Sequence, residues 1–265
     1  SMMVKHAESA FNEMGLTLFS GGSNWQEKRE LAFAERLIRM QARGVLICPC
    51  EKDFAAFELL DKAGIPYVAL DSVPDFYRGP CVVNDLEQCG RLMAEHFHQT
   101  GARRPAYVDA APDMLYFSAF QKTREAFCRG LEAYGMAVSG RNYAAAGMTL
   151  EAGAEAFRRM SESGFDADAV FCVNDLCALG FMNEAAKHGL RAGHDFALAG
   201  IDDMEISSLS SLSLTSVRQP YRDIARQSVQ MLCALMEGKK PEPMRLMLPQ
   251  ELCARGTTLK RMKAL

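Results

Sequence analysis

The chain has 265 residues, of which 49% are hydrophobic and 24% charged, and its formal net charge is -3. These values are typical of a globular protein long enough to bury one large core or two modest ones. The weakly acidic balance argues against a surface that attracts nucleic acid as a whole, so the chain by itself is not a DNA-binding module. No apolar run approaches the roughly 18 residues that a membrane helix needs, and we expect no membrane partner.

Nine cysteines are scattered singly, most of them within apolar runs. This distribution is typical of small buried hydrophobes in a reducing compartment, and we expect a cytoplasmic protein. Cys48-Pro49-Cys50 has no second Cys or His pair at ligand spacing, and Cys48 ends an apolar strand, so we predict that Cys48 is a buried thiol and that the segment holds no metal. The N-terminus also lacks the order of charges and apolar residues found in a secretory signal.

The first half of the chain alternates between short apolar runs and amphipathic stretches. In chain order the patterns predict a helix over 1–14, a strand over 16–19, a helix over 28–41, a strand over 45–48, a helix over 54–63 and a strand over 66–70. This alternation predicts a parallel sheet with helices on both faces. Because such a sheet normally starts with a strand, we expect the natural protein to extend upstream of Ser1.

A second block with the same alternation follows a polar break near residue 84. It comprises a strand over 81–83, a helix from Asn84 or Asp85 to Gln99, a strand over 106–109, a helix over 118–134, a short strand over 143–145 and a helix over 150–161. After residue 203 the patterns predict strands over 214–217 and 244–248 on either side of a helix over 220–236. Two successive α/β blocks indicate two lobes.

The stretch 169–203 has the pattern of a βαβ unit. An apolar strand over 169–173 precedes a helix that begins near Asp175, and a second apolar strand covers 196–201. Polar residues follow both strands: Asn174 and Asp175 after the first, Asp202 and Asp203 after the second. In open parallel sheets the carboxyl ends of strands form the ligand crevice, so these side chains are candidates for reading a small polar molecule. One of Asn174 and Asp175 is also expected to cap the following helix.

Sequence signatures of catalysis are absent. The chain has no G-x-S-x-G elbow and no phosphate-binding glycine loop, and Gly21-Gly22-Ser23 does not complete one. His96 and His98 point to different sides of one helix and cannot share a metal ion from it. We therefore predict that the chain is not an enzyme and uses no cofactor.

Three segments carry a family resemblance: VNDLCALG, ALAGIDDMEISSLSSLSLTSVRQPYRDIARQSVQML and LPQELCARGTT. In this order and spacing they resemble the effector-binding region of lactose-repressor/galactose-repressor (LacI/GalR) transcription factors. The resemblance covers nearly the whole chain. It implies an α/β fold of the type I periplasmic-binding-protein kind, with two Rossmann-like lobes and a ligand cleft between them. It also implies that a helix-turn-helix headpiece, a hinge and a first strand precede Ser1 in the natural protein.

The family fold crosses between its lobes three times, and this implies the division of the chain. The N-terminal lobe would comprise residues 1–83 and 217–240, and the C-terminal lobe residues 84–216 and 241–265.

The resemblance also implies ligand-binding positions. Asn174 and Asp202 would bind ligand hydroxyls from one lobe, while Asp71, Gln219 and Tyr221 would face the cleft from the other lobe or the crossover. Trp25, Tyr116 and Phe117 are further aromatic candidates. The family usually has an arginine where this chain has Thr123, with Lys122 and Arg124 beside it, so the ligand class stays open.

The main hypothesis is therefore a sensor that binds a small effector, most simply a sugar or related metabolite. As a homodimer it would control operator DNA through the upstream headpiece, with α-helical apolar faces near the N-terminus joining the subunits. A solute-binding protein of a sugar transporter is the alternative, which the nine cysteines and the RQP and RGTT segments disfavour. An α/β sugar-modifying enzyme is a third possibility, and it would need a proton-transfer pair or metal that the sequence does not reveal.

Overall fold

The computed structural model describes residues 2–259 and divides them into two units. Unit 1 comprises residues 2–85 and 220–249, and unit 2 comprises residues 86–219 and 250–259. The predicted lobes differ from these units at 84–85, at 217–219 and, most of all, at 241–249. The predicted helix over 1–14 is confirmed over Met2–Glu13, and Ser1 lies outside the described residues.

The regular elements follow the predicted alternation closely. The α-helices are α1 (Met2–Glu13), α2 (Glu27–Arg39), α3 (Ala55–Ala63), α4 (Leu86–Gln99), α5 (Ser118–Ala133), α6 (Leu150–Glu162), α7 (Asp175–Lys187), α8 (Tyr221–Met236) and α9 (Gly256–Leu259). The strands are β1 (Val45–Ile47), β2 (Tyr67–Asp71), β3 (Cys81–Asn84), β4 (Pro105–Asp109), β5 (Tyr143–Ala145), β6 (Ala169–Cys172), β7 (Ala197–Ile201), β8 (Thr215–Arg218), β9 (Arg245–Leu248) and β10 (Glu251–Cys253). Within residues 2–259 no helix is both long enough and apolar enough to span a membrane.

Unit 1 contains a four-stranded parallel sheet with the order β1-β2-β3-β9. Helices α2 and α3 cover one face, where Leu37 and Phe57 join the apolar cluster. Helices α1 and α8 cover the other face through Phe11 and Ile224. Because β9 pairs with β3, residues 245–248 lie in the sheet of unit 1, whereas the predicted division places them in the C-terminal lobe.

The predicted strand over 16–19 is wrong. Residues 16–20 form no strand in the structure, although Leu16 and Leu18 pack against the cluster between α1, α8 and the sheet. The alternation of apolar and other residues over 16–19 therefore arises because Leu16 and Leu18 pack on one apolar cluster, not because the segment is a strand. A strand also needs a neighbouring backbone to supply its hydrogen bonds, and none of the strands β1 to β10 pairs with this segment.

Unit 2 contains a six-stranded sheet with the order β10-β8-β7-β6-β4-β5, in which only β10 runs antiparallel to its neighbour. Alternate residues of its strands face opposite layers. Tyr107 and Phe171 face α4 and α5, whereas Val108 and Val170 face α6 and α7. The predicted class, an α/β protein with parallel sheets flanked by helices, is confirmed.

Candidate functional site

The strands of unit 2 bring several polar side chains to one edge of the sheet. Strands β4, β6, β7 and β8 run parallel, so their carboxyl ends lie on the same side. We call Asp109, Asn174, Asp202 and Gln219, which end or follow these four strands, the unit 2 polar edge. In parallel sheets this is the side on which ligands are bound.

Asp202 and Gln219 form a pair where this edge passes over β7 and β8. Gln219 Nε2 donates a hydrogen bond of 2.7 Å to Asp202 Oδ1. The backbone of Asp202 has φ 107°, in the left-handed region that non-glycine residues rarely occupy. Its amide nevertheless donates to Val217 O at 2.9 Å, which holds this conformation against β8. Both side chains are partly exposed. A carboxylate and an amide fixed side by side can bind vicinal hydroxyl groups.

Asp175, the neighbour of Asn174, has a structural role. Its carboxylate is fully buried and accepts hydrogen bonds from Ser207 Oγ and Ser216 Oγ at 2.6 Å each and from Met204 N at 2.8 Å. Burial raises the pKa of Asp175, and these hydrogen bonds oppose that rise. Gly200 of β7 makes the approach possible, since a Cβ there would overlap the Asp175 carboxylate. Through these hydrogen bonds Asp175, at the start of α7, holds the segment after β7 and strand β8 in place.

Asp203 also turns inward, in contrast to Asp202. Its side chain is 7% exposed and forms ion pairs with Arg218 at 2.8 Å and with Arg255 at 2.5 Å. Burial alone would raise its pKa, but the hydrogen bonds from the two guanidinium groups outweigh burial and lower the pKa below its usual range. The acidic pair thus divides into one carboxylate that faces the edge and one that holds the fold together.

The Arg-Gly-Thr-Thr segment at 255–258 forms a buried network of hydrogen bonds with the strands of unit 2. Thr257 Oγ1 donates to Leu198 O at 2.7 Å and accepts from Thr215 N at 2.8 Å. Thr258 Oγ1 lies 2.7 Å from both Thr215 Oγ1 and His96 Nε2. These bonds connect α9 to β7, β8 and α4, which gives a physical role to a motif that the sequence showed only as a resemblance.

Asn174 caps α7, as expected for one of the residues at this position. Its Oδ1 accepts from Cys177 N at 2.8 Å, and its Nδ2 donates to Met148 O at 3.0 Å. The side chain is partly exposed, and the carbonyl oxygen has a second lone pair. The cap thus fixes the orientation of a group that can still accept a hydrogen bond.

Thr123 lies in α5, at the contact with α4, whereas the residues of the unit 2 polar edge end or follow strands. It is buried, and its hydroxyl lies 3.3 Å from Leu86 O, at the contact of α4 with α5. The following residue, Arg124, donates to Asp109 Oδ2 at 2.6 Å, and Tyr143 Oη lies 3.1 Å from the same oxygen. Sequence reasoning missed this cluster, because nothing in the local pattern links β4, β5 and α5.

Unit 1 has a comparable edge at the ends of β1, β2 and β3, which we call the unit 1 polar edge: Glu51, Asp71 and Asn84. Asn84 Nδ2 donates to Asp71 Oδ1 at 2.5 Å, and Ser72 Oγ donates to Glu51 Oε1 at 2.7 Å. Asp71 also has a left-handed backbone, with φ 74°. Burial and the charge of Glu51 raise its pKa to about 6, while the Asn84 bond opposes the rise. The candidate carboxylates of both units thus end strands in a strained conformation.

The remaining candidates are distributed between the units. Tyr221 begins α8 in unit 1 and is partly buried, whereas Gln219 belongs to unit 2. Phe117 is fully buried in the core of unit 2, so it cannot offer its ring to a ligand there, and Trp25 is 41% exposed.

The Cys48-Pro49-Cys50 segment contains one exposed and one buried thiol. Cys50 is buried, its amide donates to Glu30 Oε2 at 2.8 Å, and its thiol lies 3.4 Å from Ser23 Oγ. Burial raises the pKa of Cys50 to about 12, so this thiol is protonated near neutrality. The prediction that Cys48 is a buried thiol is therefore wrong: Cys48, which follows β1, is exposed, and Cys50 is buried. Among residues 2–259 no group of three or more His, Cys, Asp and Glu side chains has the arrangement of a metal site.

Comparison with known protein families identifies the fold. Residues 94–258, more than half of the chain, match the model of the periplasmic binding protein-like domain. The chain belongs to this family. It is 29% identical over 248 residues to the HTH-type transcriptional regulator GntR of Pseudomonas aeruginosa, with 92% of this chain and 70% of that protein covered.

Solved structures agree with this assignment. A structure described as a transcriptional regulator CelR-cellobiose complex is 26% identical, with a TM-score of 0.83 over 97% of this chain and 78% of that one. A dimeric Lac repressor has the same fold, with a TM-score of 0.84 at 23% identity over 98% of this chain and 94% of the repressor. The resemblance to the LacI/GalR effector-binding domain is therefore confirmed. Because these relatives are named as transcriptional regulators and not as enzymes, the prediction that the chain is not an enzyme is confirmed on that ground.

Proposed function

We propose that the chain is the sensor of a LacI-type regulator and that its effector binds between the two units, at their polar edges. The Asp202–Gln219 pair is the observation that carries this proposal. It presents a carboxylate and an amide, held 2.7 Å apart on neighbouring strand ends, on a partly exposed edge. In parallel α/β sheets such positions are where small ligands bind.

The chemistry of the candidate residues favours a sugar-like effector. Asp202 and Asp71 can each accept hydrogen bonds from hydroxyl groups, and Asn174 and Gln219 offer amides. Sugars present hydroxyl pairs in fixed geometry, which suits acceptors whose own positions are fixed by caps and turns. Tyr221 supplies an aromatic face to the apolar side of a sugar ring. The cellobiose bound by the structurally similar CelR is in line with this class.

The effector would act by binding two arrangements of the units unequally, since only a difference in affinity shifts such an equilibrium. In the natural protein this shift would change the operator affinity of an upstream DNA-binding segment. The chain spans 70% of the length of GntR, so this regulation of DNA is part of the proposal. We place the protein in the cytoplasm, where its nine free cysteines would stay reduced.

A homodimer is part of the same proposal. The first helix exposes Met2 and Val4, at 45% and 38%, and Met40 after α2 is 55% exposed. Met2 and Val4 lie on one short helix and would supply apolar surface to a subunit contact. The structurally similar Lac repressor is described as dimeric. Sedimentation equilibrium of the chain would report a dimer if this part of the proposal is right and a monomer at micromolar concentration if it is wrong.

A thermal-shift screen tests effector binding. The chain is mixed with sugars, sugar phosphates, polyols and purines, and a compound at about 100 times its dissociation constant should stabilise the fold by roughly 2.7 kcal/mol. The variant Asp202→Asn should lose the shift, whereas Glu162→Gln, which makes the same kind of change on the exposed end of α6, should keep it. A compound that stabilises all three proteins equally would place binding away from Asp202.

The link to DNA is tested with the longer natural protein. Sites selected from a random DNA library are titrated with and without the compound found in the screen. We expect the compound to change the DNA dissociation constant at least about tenfold, since allosteric coupling is typically of this size. An unchanged dissociation constant would contradict the sensor role while leaving ligand binding in place.

A further inference from the structure

The charges at the two polar edges restrict the net charge that an effector can carry. This inference rests on the proposed binding of an effector at these edges. In unit 2 three arginines pair with buried carboxylates that belong to this edge or lie next to it in sequence. Arg124 pairs with Asp109, whose side chain is fully buried, at 2.6 Å. Arg218 and Arg255 both pair with Asp203. An anionic ligand would have to draw one of these arginines away from a buried carboxylate, which is costly because that carboxylate would be left uncompensated.

In unit 1 the edge itself is acidic. Glu51 accepts a hydrogen bond from the hydroxyl of Ser72, the residue that follows Asp71, and the carboxylate of Asp71 accepts from the neutral amide of Asn84. The nearest basic residue in sequence, Lys52, lies 3.8 Å from the carboxylate of Glu27 in α2. A negative group on the ligand would therefore meet like charges, whose juxtaposition is strongly unfavourable.

Thr123 adds a third observation. Its side chain is neutral and buried, and its hydroxyl is used on Leu86 O at the contact of α4 with α5. Thr123 therefore supplies no positive charge that could bind an anionic group of a ligand.

We propose that the effector carries no negative charge: it is a polyhydroxylated compound that is neutral or bears an ammonium group, and sugar acids and sugar phosphates are rejected. Asp71 is the residue that sets this charge preference from unit 1. Asp202 supplies a second carboxylate from unit 2. The ion pairs of Asp109 and Asp203 enforce the preference indirectly, by keeping three arginines from the ligand.

The test uses sets of compounds that share one pyranose ring and differ chiefly in charge. Isothermal titration calorimetry measures binding of the chain at pH 7.5 to glucose, glucosamine, glucuronate and glucose 6-phosphate, and to the corresponding galactose and mannose sets. We expect every bound set to show the neutral or amino member binding at least about tenfold more tightly than its acid or phosphate. An acid or phosphate that binds as tightly as its neutral counterpart would overturn the inference.

A variant separates a charge effect from a general loss of binding. Asp71→Asn keeps the acceptor for Asn84 and removes the negative charge, so it should reduce the discrimination against the acid by several-fold. Glu58→Gln, an identical change of charge on the exposed side of α3, should leave the discrimination unchanged. If Asp71→Asn weakens neutral and acidic members by the same factor, Asp71 does not set the charge preference.

The outcomes also distinguish this inference from the function on which it rests. Binding of acids or phosphates alone would overturn the charge preference and leave the effector-binding proposal standing. An absence of heat with every compound in the matched sets would count against a sugar-like effector itself, and the charge preference would fall with it.

Discussion

Gln219 Nε2 donates to Asp202 Oδ1 at 2.7 Å, and this bond joins the ends of two adjacent strands, β8 and β7. The next residue, Asp203, is turned the other way and holds two arginines. Two consecutive acids thus have opposite tasks: Asp202 remains on a partly exposed edge, and Asp203 maintains the geometry beneath it.

Replacement of Asp203 should therefore destabilise unit 2. In Asp203→Asn the largely buried Arg255 would lose its counter-charge, whereas the half-exposed Arg218 would keep Glu251 as a partner. Breaking a buried pair from one side costs about 3–5 kcal/mol, so we expect a loss near the lower end of that range. Urea denaturation at pH 7 would measure this loss. The neighbouring variant Asp202→Asn is the matched control and should cost less than about 1 kcal/mol, because the asparagine can still accept from Gln219. Equal losses in both variants would contradict the assigned division of roles.

Gly200 should not tolerate alanine. A Cβ at this position would overlap the Asp175 carboxylate, which is fixed by Ser207, Ser216 and Met204 N. Overpacking of this kind costs about 1–3 kcal/mol, and Gly200→Ala should lower the midpoint of chemical unfolding accordingly. Gly140→Ala, where a Cβ meets nothing within 4 Å, should change stability by less than about 0.5 kcal/mol. A neutral Gly200→Ala would show that α7 can move away from β7 freely.

Asp71 should make the fold less stable as pH rises. Its folded pKa is about 6, above the ordinary value of 3.8, so between these values the folded state binds more protons than the unfolded chain. Stability therefore falls from about pH 4 to about pH 7 through this residue and then levels off. Asp71→Asn should remove that decline and be more stable than the wild type at pH 8 by roughly 1–2 kcal/mol. Thermal unfolding across this pH range would test it, and identical pH profiles would refute a raised pKa.

His96 should make the fold less stable as pH falls. It is buried against Thr258, and burial lowers its pKa, so the unfolded chain takes up a proton that the folded state resists. The contribution of this group to stability is complete above pH 6.5 and is lost as pH falls below it. His96→Gln, which can still bond Thr258, should lose less stability than the wild type between pH 7 and pH 5. A pH dependence of stability in His96→Gln equal to that of the wild type would argue against a neutral His96.

The sequence predicted most of the fold, because apolar periodicity and cap residues act locally. The βαβ unit, the cap by Asn174 and the two α/β blocks all follow from such signals. It missed β10, whose three residues pair antiparallel with β8 through a contact more than 30 positions away in the chain. It also predicted a strand over 16–19, since the pattern cannot reveal whether a partner strand is present.

The site was less predictable than the fold, for a related reason. Asp175, Asp202 and Asp203 have the same chemistry in sequence, and only the backbone conformation decides which carboxylate is buried. Similarly, the residue next to Thr123 turned out to be the one that pairs with Asp109, across α5 and β4. Such pairings depend on the three-dimensional placement of side chains from separate elements, which spacing along one helix does not encode.

The most direct test of the account is a calorimetric titration of the chain, of Asp202→Asn and of Glu162→Gln with the compound that gives the largest thermal shift. If the effector binds at the polar edges, the wild type and Glu162→Gln will bind it equally and Asp202→Asn will bind at least about tenfold more weakly, as expected for a lost charged acceptor. Equal affinity in all three proteins would show that the ligand binds elsewhere and would contradict the assignment of Asp202 to the effector site.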